Sequence, residues 1–211
     1  MIAFDTKTLL AAFDETVEIL SQTPDYITVY DMKDDRELKY RIGPMDDVWL
    51  ESILHFSPKI EPSEKDAVHD AVIWALRNID PNMLVLLKAV YIVVGEEDEA
   101  FVAKCSDCEI DEIPDNALSE NILGLMWWSE SSVFIHFNAI KKCVEEECVQ
   151  YGEWRQYNRL LFEAITTTMA HELRHLGLSN PFLDEKQYPA SEETEEAVEQ
   201  WALAFCGISL V

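Results

Sequence analysis

The sequence predicts an α+β fold, in which β-strands and amphipathic helices occupy separate stretches of a 211-residue chain. Two observations predict it. Runs rich in β-branched and aromatic residues occur before residue 45 and again between residues 89 and 137. Apolar residues recur at helical spacing over residues 63–78, 153–176 and 191–205. With 48% hydrophobic residues the chain can bury a core, so global disorder is excluded, and its length suits one domain or one domain with an appendage.

The first 80 residues are predicted to form helices around a β-hairpin. Asp5 can cap a helix that runs to about residue 20. Residues 26–30 and 37–42 are β-rich and flank an acidic turn, which is typical of a hairpin. Pro44 can start a short helix to about residue 54, and residues 63–78 predict a longer amphipathic helix.

From Pro81 onward the pattern changes to strands followed by long helices. Strands are predicted at residues 89–94, 100–103 and 132–137, with an acidic loop over residues 106–121. The strongest helix covers residues 153–176 and is expected to end at Gly177, because glycine readily adopts the backbone conformation of a helix C-terminus. A last helix is predicted over residues 191–205.

Charge and cysteine usage narrow the class of protein. The 41 acidic and 16 basic residues give a net charge of −25, which repels phosphate backbones and anionic lipid, so we expect no nucleic-acid and no membrane partner. Acidic side chains interrupt the first 20 residues, where a signal peptide needs an apolar run. Five cysteines is an odd count for a disulfide framework. We therefore expect a cytoplasmic protein with reduced thiols.

The most informative motif is His171-Glu172-Leu-Arg-His175 on the strongest helix. Histidines four residues apart lie about 40° from each other around a helix, so both imidazoles can reach one ion. Glu172 is turned by about 100° from His171 and can contact a metal-bound water rather than the metal. In that arrangement Zn²⁺ acidifies the water and Glu172 accepts its proton. The alternative is a pair of structural histidines on a core helix.

A catalytic zinc site needs a third protein ligand, and the last helix offers several glutamates. Glu195 borders the apolar face of that helix, which makes it the preferred ligand. Glu196 is the alternative ligand, although it points nearly opposite. Glu199 lies one turn after Glu195, where it could ligate or could hold a histidine Nδ1–H.

With His171, Glu172 and His175 followed after twenty residues by Glu195 on a helix, the chain resembles the gluzincin metallopeptidases. It is similar to their minimal versions, the phage-related metallopeptidases and the ImmA/IrrE-type proteases that cut repressors. The resemblance covers roughly residues 84–205, within a metallopeptidase-like domain over residues 81–211. Residues 1–80 lie outside the resemblance and are expected to form a helix-hairpin-helix extension.

The resemblance implies a small twisted sheet packed on the motif helix and on the glutamate helix that follows it. It also implies an edge strand that lines the cleft and binds an extended peptide, and residues 132–138 are the predicted strand. The implied activity is zinc-dependent hydrolysis of a peptide bond in a protein substrate, with Glu172 activating the water.

Peptide hydrolysis also needs a hydrogen-bond donor for the developing oxyanion. Tyr188 is the preferred donor, because it lies in the loop between the two zinc helices. His136, Tyr157 and Arg174 are further candidates. We expect His136 to face solvent on its strand and Arg174 to form an ion pair at the surface or behind the site.

The cysteines offer a second metal site. Cys105 and Cys108 form one pair and Cys143 and Cys148 another, and four thiolates can hold a structural zinc. Free thiols are the favoured interpretation, because both pairs lie in acidic sequence without the usual glycines. Cys206 is expected in the core.

Two other functions compete with the peptidase. The charge of −25 is compatible with an acidic protein-binding module that mimics DNA and occupies a basic surface. A zinc-containing fold without activity is the other. Under the peptidase hypothesis the same charge predicts a basic protein or peptide substrate.

Overall fold

The computed structural model describes residues 17–33, 35–114, 116–178 and 195–207. They form an α+β fold, as predicted. The strands are β1 (Val17–Gln22), β2 (Tyr26–Asp31), β3 (Arg36–Arg41), β4 (Leu54–Phe56), β5 (Ala89–Val93), β6 (Gly124–Trp127) and β7 (Ser132–His136). The helices are α1 (Asp47–Ser52), α2 (Pro62–Asn78), α3 (Pro81–Leu84), α4 (Glu99–Ser106), α5 (Phe137–Tyr151), α6 (Tyr157–Leu178) and α7 (Glu195–Phe205). In these ranges no helix is both long and apolar enough to cross a bilayer.

The first sheet contains the predicted hairpin and one strand that was not predicted. β2 and β3 pair antiparallel, and β1 adds to β2 on the other side. The helix expected over residues 5–20 is therefore wrong for residues 17–20, whereas residues 5–16 lie outside the described part. Ile19 sits opposite Val29 in the ladder, so cross-strand pairing decides the conformation of a segment whose apolar spacing also suits a helix.

The second sheet has the strand order β4-β5-β7-β6. The first three strands are parallel, and β6 runs antiparallel to β7 at the edge. The expectation that residues 132–138 form the edge strand is wrong. β7 lies inside the sheet because it pairs with β5 on one side and with β6 on the other. All five of its residues are buried, which is typical of a strand covered on both faces. The strand at this edge is β6, which the sequence pattern did not predict.

Two helices also depart from the prediction. Residues 100–103 belong to α4 rather than to a strand, because the chain turns at Gly95 and Asp98 before the helix begins. α5 was not predicted, although its apolar residues recur every three or four positions. Phe137, Ile140, Val144 and Cys148 are all buried against the core.

The central element is α6, which packs against α2, α3, α5, α7 and the strands β6 and β7. Its residues Ile165, Met169 and Leu173 are fully buried, so they fix the rotation of the helix about its axis. The predicted helices over 63–78 and 153–176 correspond to α2 and α6, and α6 extends past Gly177. β4 and α2 precede residue 81 yet share one hydrophobic core with α6, so the expected boundary at residue 81 lies inside that core.

Candidate metal centre

The two motif histidines lie one turn apart on α6 and face the same cleft. Their ring centroids are 4.8 Å apart, and the two Nε2 atoms are separated by 3.0 Å. The His171 side chain is 22% exposed and that of His175 is 17% exposed, so both rings are reachable from solvent. Burial lowers the pKa of His175, although the charge of Glu195 acts in the opposite direction. The lowered pKa favours the neutral imidazole, which is the form that binds metals.

Glu195 approaches the histidines from the first turn of α7. Its Oε2 atom lies 3.2 Å from His171 Nε2 and 3.4 Å from His175 Nε2. Val198 and Ala202, three and seven residues later, are buried against the core, so the same helical face carries Glu195 to α6.

The other two glutamates stand apart from the histidines. Both Glu196 and Glu199 are exposed, and Glu196 accepts a hydrogen bond from Gln200 Nε2. Within the described ranges, the only cluster of three or more metal-ligating side chains is His171, His175 and Glu195.

The separations among these three atoms fit a tetrahedral metal. Bonds of about 2.0–2.1 Å to Zn²⁺ require ligand atoms about 3.3 Å apart at the corners of a tetrahedron. The observed distances are 3.0, 3.2 and 3.4 Å. Two imidazole nitrogens and one carboxylate oxygen are a donor set typical of catalytic zinc, in which the fourth position stays open.

Glu172 lies beside this cluster and is not one of its three members. It is 7% exposed and lines the same cleft. Burial and, to a smaller extent, the charge of Glu195 raise the pKa of Glu172, a hydrogen bond from the Met126 backbone lowers it, and the net value is about 8. The arrangement therefore holds a carboxyl group that can exchange a proton next to the three ligands.

The cleft has a volume of about 280 Å³ and lies between the strand β6 and the helices α6 and α7. Its lining residues are Gly124, Leu125, Met126, Trp128, His171, Glu172, His175 and Glu195.

The backbone of β6 is open to the cleft on one side. The Leu123 carbonyl accepts a hydrogen bond from His136 N, so residues 123, 125 and 127 direct their peptide groups to β7. By alternation, Gly124 and Met126 direct theirs to the free edge.

Trp128 follows directly after β6 and was not singled out from the sequence. Its side chain is 48% exposed, and its ring meets His175 edge-on at a centroid distance of 6.3 Å. The apolar run at residues 124–128, followed by a turn and then by β7, is the sequence signal that could have predicted β6 and Trp128 beside the cleft.

None of the oxyanion-donor candidates that the structure describes lies in the cleft. Tyr188 lies outside the described residues. Tyr157 begins α6, about five helical turns before His175, and Arg174 is 2% exposed with its guanidinium over the ring of Trp201. The surface position, one of the two expected for Arg174, is therefore wrong. Its burial follows from α7 packing over that face of α6.

His136 is also placed differently from the expectation that it faces solvent. It is 1% exposed, because β7 lies inside the sheet and is covered on both faces. Burial lowers its pKa to about 4, and the Ala117 backbone opposes this effect. His136 therefore belongs to the core and does not line the cleft.

The four cysteines do not assemble into a metal site. Cys105 and Cys108 are at the end of α4, and Cys143 and Cys148 are on α5. Five residues along a helix correspond to a turn of about 140°, and Cys143 is exposed while Cys148 is fully buried. These residues are free thiols, as is the half-buried Cys206.

No protein-family model, curated protein or solved structure shows significant similarity to this chain.

Proposed function

We propose that the protein is a zinc-dependent peptidase with its active site in the cleft between β6, α6 and α7. The observation that carries the proposal is the convergence of His171 Nε2, His175 Nε2 and Glu195 Oε2 to within 3.4 Å of one another. These residues would hold one Zn²⁺, which supplies Lewis-acid activation of water.

Glu172 has the properties of the proton acceptor. It lies beside the three candidate ligands without being one of them, and its side chain is almost fully buried. A carboxylate at this position can take a proton from water and return it to the leaving amine. The water that Glu172 would deprotonate would occupy the fourth position, which three protein ligands would leave open on the metal.

The free edge of β6 supports an extended polypeptide as the substrate. The peptide group of Gly124 and the carbonyl of Met126 face that edge, beside Glu172 and the histidines, while the Met126 N–H hydrogen bonds to Glu172. A substrate strand that pairs with them would lie along the cleft with its backbone close to the metal ligands. Backbone pairing needs no particular side chain, so this mode of binding suits a protein or peptide rather than a small molecule.

The test of the proposal is cleavage that depends on both zinc and Glu172. Wild-type protein, Glu172→Gln and the exposed control Glu196→Gln are loaded with one equivalent of Zn²⁺ and incubated with a set of basic proteins. Wild type and Glu196→Gln should shorten a substrate with time, a chelator should stop it, and Glu172→Gln should lower the rate by at least about a hundredfold while keeping its zinc.

Two results would contradict the proposal. Activity that survives in Glu172→Gln would remove its assigned role. A basic protein recovered intact in a stable complex with the zinc-loaded wild type would instead favour the acidic binding module or the inactive zinc fold.

A further inference from the structure

We propose that the edge strand β6 positions Glu172 and that Gly124 is the residue that permits it. The catalytic meaning of this inference rests on the proposed function, whereas the contact itself does not. A Cβ atom on Gly124 would lie 2.9 Å from Glu172 Cγ, 2.8 Å from Glu172 Oε1 and 2.7 Å from Thr168 Cγ2. The strand therefore crosses directly over the Glu172 side chain.

The requirement at position 124 is for the absence of a side chain rather than for an unusual backbone. Gly95, Gly152 and Gly207 have positive φ angles, but Gly124 does not. Any residue could adopt its backbone conformation in the strand, so the space taken by Thr168 and Glu172 is the feature that favours glycine.

The neighbours of Gly124 have little freedom to move away. Thr168 is 8% exposed, and its Oγ1 donates to the Ala164 carbonyl at 2.9 Å, which fixes the direction of the Cγ2 methyl. Glu172 is almost fully buried and meets the strand through Cγ, near the root of its side chain. An added methyl group must therefore shift Glu172 or push β6 away from α6.

The same strand also contacts the carboxylate through its backbone. Met126 directs its peptide group to the free edge, and its N–H hydrogen bonds to Glu172. Gly124 and Met126 are two residues apart on β6. Gly124 lies against the Cγ atom of Glu172, and the Met126 N–H contacts its carboxylate. We infer that this pair sets the position of Glu172 relative to the metal ligands.

The contact is tested by a double-mutant cycle on zinc-free protein, with the thermal midpoint as the readout. Gly124→Ala should lower the midpoint by about 5 °C in the wild-type background. In the Glu172→Ala background, which removes Cγ and Oε1 but leaves the Thr168 methyl in place, the loss should be smaller without disappearing. In the Glu172→Gln background, which keeps Cγ, the full loss should remain.

A loss of the same size in all three backgrounds would overturn the inference, because the strand would then not be in contact with Glu172. Gly152→Ala is the matched control. No atom lies within 4 Å of its Cβ position, and its positive φ makes the substitution destabilising at a distance from the cleft. Its effect should be equal in all backgrounds.

The positioning role is tested on zinc-loaded protein with a substrate that the wild type cleaves. Gly124→Ala should keep one equivalent of zinc and a nearly unchanged KM, while kcat falls by at least about tenfold. Gly152→Ala should keep the wild-type kcat. A Gly124→Ala variant with the wild-type kcat would overturn the positioning role of Gly124. A wild type that cleaves nothing would instead reject the proposed function, and the double-mutant cycle would still test the contact between β6 and Glu172.

Discussion

Glu195 Oε2 lies 3.2 Å from His171 Nε2, although the two residues are on different helices and 24 positions apart in the chain. The contact depends on the packing of α7 against α6, since Val198 and Ala202 fix the face of α7 that meets the motif helix. A carboxylate oxygen and two imidazole nitrogens so close together are a set of donors that suits a metal ion. This relationship selects one glutamate among several on the same helix.

Glu195→Gln should weaken zinc binding by at least about tenfold, because it replaces a charged ligand oxygen with a neutral one. Glu196 is the next residue along the helix and is exposed, so Glu196→Gln should bind zinc as the wild type does. Competition with a chromogenic chelator measures both affinities. Equal weakening in the two variants would mean that charge at the start of α7, rather than ligation by Glu195, governs the affinity.

The buried His136 should make folding stability depend on pH. Its pKa is about 4 in the folded protein and near 6.5 when unfolded, so the unfolded chain binds more protons between these values. Its contribution is constant above pH 6.5 and is lost as the pH falls toward 4.

Urea unfolding of zinc-free protein at pH 7 and pH 4.5 measures this effect against His136→Phe. The wild type should lose about 2–3 kcal/mol more than the variant over that interval. The comparison with the variant cancels the carboxyl groups that titrate in the same range. Identical losses in the two proteins would show that His136 does not carry the pH dependence.

If the protein is the proposed peptidase, its net charge of −25 should direct it to basic substrates. For a basic substrate, kcat/KM should fall by roughly tenfold between low salt and 0.3 M salt, because screening shortens the range of attraction. A neutral peptide of the same length should show little salt dependence. The charge explanation fails if both substrates respond to salt equally.

The sequence predicted the parts of the fold that depend on local pattern. The motif helix, the strand β5 and the hairpin β2–β3 are examples, and the preference for Glu195 followed from its position beside the apolar face of its helix. The edge strand β6 was missed because it has only four residues and begins with Gly124, whose side-chain space is occupied by Glu172 and Thr168.

Other features depend on tertiary packing that no local pattern encodes. The apolar run at residues 100–103 suits a strand or a helix, and only the turn at Gly95 and Asp98 decides for α4. The burial of His136 depends on what covers the two faces of β7. For the same reason, spacing alone could not reveal that the two cysteine pairs stay apart.

If His171, His175 and Glu195 hold one zinc ion, untagged protein purified without chelator should contain it. Elemental analysis of the wild type and of His171→Ala measures this. We expect about one equivalent of zinc in the wild type, as for a site with three protein ligands, and a near-complete loss in His171→Ala. A zinc content near zero in the wild type, or an unchanged content in His171→Ala, would contradict zinc binding by these three residues.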